Sequence, residues 1–142
     1  MNPLELIFPN LAGTGYRVTS PADDDYNCLA WAAAEDDRWW WPDPLGESYW
    51  PHGVPRAETP EAFVAAYATV GFTAAADDSS LPGVEKIAIY LKAGKPTHAA
   101  RQLPSGLWTS KLGRAEDIEH DLAGLVGEVY GAVGLLLQRP RT

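Results

Sequence analysis

A chain of 142 residues, 46% hydrophobic and 21% charged, has the length and composition of one domain with its own core, which excludes disorder throughout. Its formal charge of −8 argues against a duplex nucleic-acid partner or an anionic membrane, because both need clustered Lys and Arg. The same charge suits a neutral or basic substrate, or a basic protein partner. One cysteine excludes an internal disulfide and a thiolate-rich zinc site.

The first residues, Met1 to Pro9, lack a basic leader region and a long apolar run, and no stretch approaches the ~20 apolar residues of a membrane helix. The expected location is therefore the cytoplasm, with signal-free export left open. Residues 1–22 mix apolar side chains with Pro3, Pro9, Gly13, Gly15 and Pro21, a pattern that predicts an extended arm lying on the domain. Asp23-Asp24-Asp25 precedes Tyr26-Asn27-Cys28-Leu29-Ala30-Trp31-Ala32-Ala33-Ala34. An acidic run before an Ala-rich stretch predicts a helix start, with Asp or Asn as the cap and Cys28 in the first turn.

Residues 35–58 are aromatic and Pro-rich, with Trp39-Trp40-Trp41-Pro42 followed by Tyr49-Trp50-Pro51-His52-Gly53. The prolines and glycines forbid a long regular element, so a loop pinned by its own rings is expected. Thr59-Pro60-Glu61 opens a second helix, with Phe63, Val64, Tyr67 and Val70 at helical spacing and Gly71 as its stop. Phe72 to Ala75 reads as a short strand. Glu85 to Lys92, Thr97 to Leu103 and Leu107 to Leu112 read as an antiparallel meander, turned at Ala93-Gly94-Lys95-Pro96 and Pro104-Ser105-Gly106. Residues 115–126 read as a short helix or irregular segment, and Tyr130 to Gln138 as a last strand.

Two residues carry the chemical reading. A thiol attacks a carbonyl as thiolate, and a helix N-terminus lowers its pKa, so Cys28 is a candidate nucleophile. The alternative is a buried cysteine serving as a small apolar residue. His98 opens a strand beside small residues, where it can take the thiol proton and return it to a leaving group. A hydrogen-bonded strand-end histidine is its plain structural alternative. A third polar group should orient the imidazole. A tight turn at 104–106 sets His98 across from about Ser110 or Lys111, so Ser110 is a candidate orienter; Asp117 and His120 are alternatives if 115–121 folds over the site. His52 reads as a loop residue. A metal site would require His98, His120 and a carboxylate to converge without a recognised local spacing, so none is expected. Gly13-Thr14-Gly15 lacks the remainder of a phosphate loop, and no Gly-x-Ser-x-Gly occurs.

The order of a lone cysteine on a helix start, then a meander opening with histidine, resembles small bacterial papain-like cysteine hydrolases. Tyr26-Asn27-Cys28-Leu29-Ala30-Trp31 is similar to the aromatic–Asp–Cys–Ser–Gly–aliphatic segment of the NlpC/P60 family, with Asn27 in place of Asp and Leu29-Ala30 in place of Ser-Gly. The chain also resembles a group of small uncharacterised bacterial proteins through the Cys28 segment, the tryptophan loop, Thr97 to Leu103, Trp108 to Gly113 and Glu116 to His120.

The papain-like resemblance implies an α+β fold, with the Cys-bearing helix packed on an antiparallel sheet of about four to five strands. It implies a thiol hydrolase or acyl transferase acting on a peptide or peptidoglycan-like amide or isopeptide bond, without a cofactor. Cys28 would be the nucleophile, His98 the base, and Ser110 or His120 the orienter. Read from the residues themselves, the aromatics Tyr26, Trp31, Trp40 and Trp50 are candidates for a substrate groove, with fastening the loop to the domain as the plain structural alternative for the tryptophans. The rival expectation is a non-enzymatic acidic interaction domain with an inert cysteine.

Overall fold

The computed structural model describes residues 3–112 and 114–141. Residues 1, 2, 113 and 142 lie outside it, the first two of the expected arm among them. Its centre is a seven-stranded sheet, antiparallel at every pairing: β1 (Tyr16–Ser20), β2 (Thr73–Ala74), β3 (Val84–Lys92), β4 (Lys95–Gln102), β5 (Trp108–Lys111), β6 (Asp117–His120) and β7 (Ala132–Pro140). The spatial order is β1-β6-β5-β4-β3-β7-β2. Helices are short: α1 (Pro3–Ile7), α2 (Leu11–Thr14), α3 (Cys28–Ala32) and α4 (Pro60–Ala68), with a 3-10 turn at Leu122–Leu125.

The expected papain-like arrangement is therefore corrected. The sheet has seven strands instead of four or five, and the Cys-bearing helix is only five residues long. Both differences have local causes. The N-terminal segment is not an extended arm: it forms α1 and α2 and then β1, which pairs with β6. Residues 117–120, read as helical or irregular, extend the meander by pairing with β5. The chain leaves α3 at once because Ala34 adopts φ +65°, a left-handed conformation in which a helix cannot continue.

Both faces of the sheet are covered, which is why the central strand β3 is buried from Glu85 to Tyr90. Its period of two splits the core. Ile87 and Ile89, with Ala99 of β4 and Leu137 of β7, pack under α3, α4 and the tryptophan loop. Ala88 and Tyr90, with Ala100, Trp108 and Ile118, pack under α1, α2 and the 3-10 turn. Thr59 caps α4 by accepting the Ala62 N–H, with Pro60 in the first turn as its sequence predicts. The buried Tyr67 hydroxyl donates to Leu29 O at 2.8 Å and ties α4 to α3. Among the described residues no helix is long and apolar enough to cross a membrane.

Candidate active site

Asn27 builds the start of α3. Its Oδ1 accepts from Ala30 N at 3.2 Å, as a helix cap does, and from Trp40 N at 3.0 Å, while its Nδ2 donates to Trp40 O at 2.7 Å. One buried side chain thus fixes both the helix entry and the centre of the tryptophan loop. Cys28 follows as the first helical residue, with 8% of its surface exposed. The expected lowering of its pKa is not found. Burial pushes the thiol up to about 11, although the amides of Ala99, Leu29 and Cys28 and the Lys111 ammonium pull it down. A single helical turn adds too little aligned dipole to reverse desolvation.

His98 lies on β4 opposite Tyr90 of β3, fully buried. Its ring stacks on Tyr130 at 4.1 Å between centroids and 11° between planes. Thr97 holds that cover in place, its hydroxyl donating to Tyr130 O at 2.6 Å. His98 Nε2 lies 2.9 Å from Ser110 Oγ, Ser110 Oγ lies 2.7 Å from His120 Nε2, and His120 Nδ1 lies 2.7 Å from Asp121 O. Three adjacent strands, β4, β5 and β6, therefore contribute one buried polar chain. The other ring nitrogen of His98, Nδ1, is buried and has no hydrogen-bond partner. Burial, then the neighbouring His120, hold the His98 pKa well below the usual histidine value. Burial lowers His120 to about 4, against the opposing effect of Asp121. Both rings are neutral at pH 7.

No hydrogen bond joins Cys28 to His98. The strand register explains why. Ala99 packs in the cluster that holds Cys28, whereas His98 projects from the other face, with Tyr90 and Tyr130. The two faces meet at a pocket of about 480 Å³ lined by Asn27, Cys28, Trp39, Trp41, Ser48, Thr97, Arg114 and Tyr130. Thr97 is the chain neighbour of His98 and Tyr130 stacks on it, so the imidazole lies directly behind the pocket wall.

The side chains expected to form a substrate groove are elsewhere. Trp40 is wholly buried and donates to Glu35 Oε1 at 3.0 Å; Trp50 is buried and donates to Pro55 O at 2.9 Å. Trp31 donates to Thr109 Oγ1 at 3.0 Å, and Tyr26 donates to Asp117 Oδ2 at 2.7 Å. Trp40 and Trp50 brace the loop on itself, while Trp31 and Tyr26 tie the α3 segment to β5 and β6. Asp117, an alternative orienter, is occupied there, accepting also from Ser20 Oγ at 2.6 Å. The pocket is walled instead by Trp39, Trp41 and Tyr130, of which the first two belong to the tryptophan loop but none is among the four side chains expected to form the groove. A signal for the first two existed: three tryptophans in extended backbone alternate sides, so the middle ring is wholly buried while its neighbours stay partly exposed, Trp41 resting edge-on against Phe63. Trp39 is held by donation to Asp24 O at 2.7 Å, with the Arg114 guanidinium 4.9 Å from its ring centroid.

A family model described as a domain of unknown function (DUF7689) matches residues 17–138. The chain belongs to that family. No curated protein and no solved structure matches it. The matched span includes the whole site, from Asn27 through Tyr130, and leaves out α1 and α2.

Proposed function

We propose that this domain is a thiol hydrolase or acyl transferase that cleaves an amide or isopeptide bond at the Cys28 pocket. The observation that carries the reading is the unpartnered, buried Nδ1 of neutral His98, whose ring stacks on Tyr130, a wall of the pocket that Cys28 also lines. Such a nitrogen is a base without a proton, and Ser110 holds the other end of its ring.

In the reaction the Cys28 thiol proton passes to His98 Nδ1 as sulfur bonds to the carbonyl carbon. The amides of Ala99 and Leu29 stabilise the sulfur as charge develops on it. The C–N bond then breaks, and His98 returns the proton to the leaving amine. Water or a second amine attacks the thioester and regenerates the thiol. The transfer requires residues 97–98 and Tyr130 to shift as substrate binds, because in the free chain Cys28 and His98 take opposite faces of the sheet. Trp39 and Trp41 hold a peptide or peptidoglycan-like amide in the pocket. A cytoplasmic setting belongs to the same proposal, since a lone thiol stays reduced there.

The raised thiol pKa and the missing Cys28–His98 bond favour a second reading, an acidic interaction domain for a basic protein with an inert cysteine. Iodoacetamide separates the two. Base-assisted attack predicts an alkylation rate that levels off between pH 6 and pH 9, because His98 and not hydroxide removes the proton. An inert thiol predicts a rate that climbs tenfold per pH unit toward its own pKa of about 11, and that result rejects the hydrolase.

A further inference from the structure

We infer that the Asp121 carbonyl fixes which nitrogen of His98 carries the proton, acting through His120 and Ser110, so that these two side chains are positioning residues for the base. The inference rests on the hydrolase reading for its purpose, though not for its geometry. A carbonyl oxygen only accepts, so His120 Nδ1, at 2.7 Å from Asp121 O, must carry a proton. Neutral His120 then presents a bare Nε2. The Ser110 hydroxyl, 2.7 Å away, has to donate to it. With that proton committed, Ser110 Oγ meets His98 Nε2 at 2.9 Å as an acceptor, so His98 is protonated at Nε2. Neutral His98 is thereby left bare at Nδ1, the position that has no partner.

Each link is buried: His98 and Ser110 are 0% exposed and His120 is 1% exposed, so water offers no competing partner. The stacked Tyr130 ring prevents the imidazole from turning over to exchange its nitrogens. When Nδ1 is protonated, Nε2 still donates to Ser110 and no other bond has to change. Without an acceptor at position 120 the serine hydroxyl is free to rotate, and His98 populates both tautomers.

The test is an imidazole ¹⁵N–¹H correlation spectrum of the uniformly ¹⁵N-labelled full chain at neutral pH. The expected result is His98 protonated at Nε2 and bare at Nδ1, with His120 protonated at Nδ1 and bare at Nε2. His120→Leu removes the acceptor, and its His98 nitrogens should move to intermediate shifts; His120→Gln, which restores a carbonyl acceptor, should return them. Finding His98 protonated at Nδ1 in the wild type, or a His98 spectrum indifferent to His120→Leu, overturns the inference. If His120→Leu does not fold, the wild-type tautomers alone decide it. Iodoacetamide labelling of the same sample separates the two claims: the expected tautomers beside an inert Cys28 keep the relay and reject the hydrolase, whereas the wrong tautomers reject the relay whatever Cys28 does.

Discussion

Lowering the pH from 7 to 5 charges histidines in the unfolded chain that the folded chain keeps neutral. His98 and His120 both have folded pKa values below the usual 6.5, His120 at about 4. The unfolded state therefore binds more protons in this range, and stability is complete above pH 6.5 and is lost as the pH falls below it. One such histidine contributes a slope of up to about 1.4 kcal/mol per pH unit, and two contribute up to about 2.7. His120, shifted from 6.5 to about 4, alone removes about 3 kcal/mol once the pH reaches 4. The carboxylates held below their usual range, Glu35 beside Arg38, Asp43 beside the Glu47 and Ser48 amides, and Asp77 beside Ser79 and Lys86, add their losses only below about pH 4.5, so the interval from 6 to 5 belongs to the histidines. Urea unfolding at half-unit steps of pH should show this slope in the wild type and roughly half of it in His120→Gln. A stability that is flat from pH 7 to pH 5, or that falls only with the carboxylates, would refute the placement of two neutral histidines in the core.

Two substitutions test how the site is held. Asn27→Ala removes three buried hydrogen bonds and strands the Trp40 backbone, and should cost about 2–4 kcal/mol in urea unfolding; a loss below about 1 kcal/mol would mean that Asn27 does not join the helix to the loop. Gly131 has φ +79°, and a Cβ there would run into Leu91 O and Leu91 C, so Gly131→Ala should cost more than about 4 kcal/mol by thermal unfolding and displace Tyr130 from its neighbour His98.

The parts of this fold that show in the sequence are those whose signal is local. Thr59-Pro60 marks the start of α4, and Ile87, Ile89 and Leu91 alternate with Lys86, Ala88 and Tyr90 as a strand does, so α4 and the β3–β5 meander lie close to where the pattern sets them. The strands β1 and β6 do not show. Tyr16–Ser20 is an exposed edge strand without an apolar face, and Asp117–His120 carries charged residues whose burial depends on partners far along the chain, such as Ser20 and Tyr26. The site divides the same way. Cys28 and His98 stand out by residue type and position, and the turn at 104–106 brings Ser110 near His98, though the register of Arg101 with Thr109 makes that contact diagonal and not directly across. The face that each side chain takes follows from strand register, which separates residues 98 and 99 onto opposite sides of the sheet. Tyr130 could not be found from sequence, because nothing local connects it to an imidazole 32 positions earlier.

The most direct measurement is acyl transfer to the sulfur itself. Exposing the native chain to p-nitrophenyl acetate and mapping the product by peptide mass spectrometry should find one acetyl group on Cys28, formed with a burst of nitrophenolate and absent from Cys28→Ala. An unmodified Cys28, or hydrolysis that persists unchanged in Cys28→Ala, would contradict the assignment of this residue as the nucleophile.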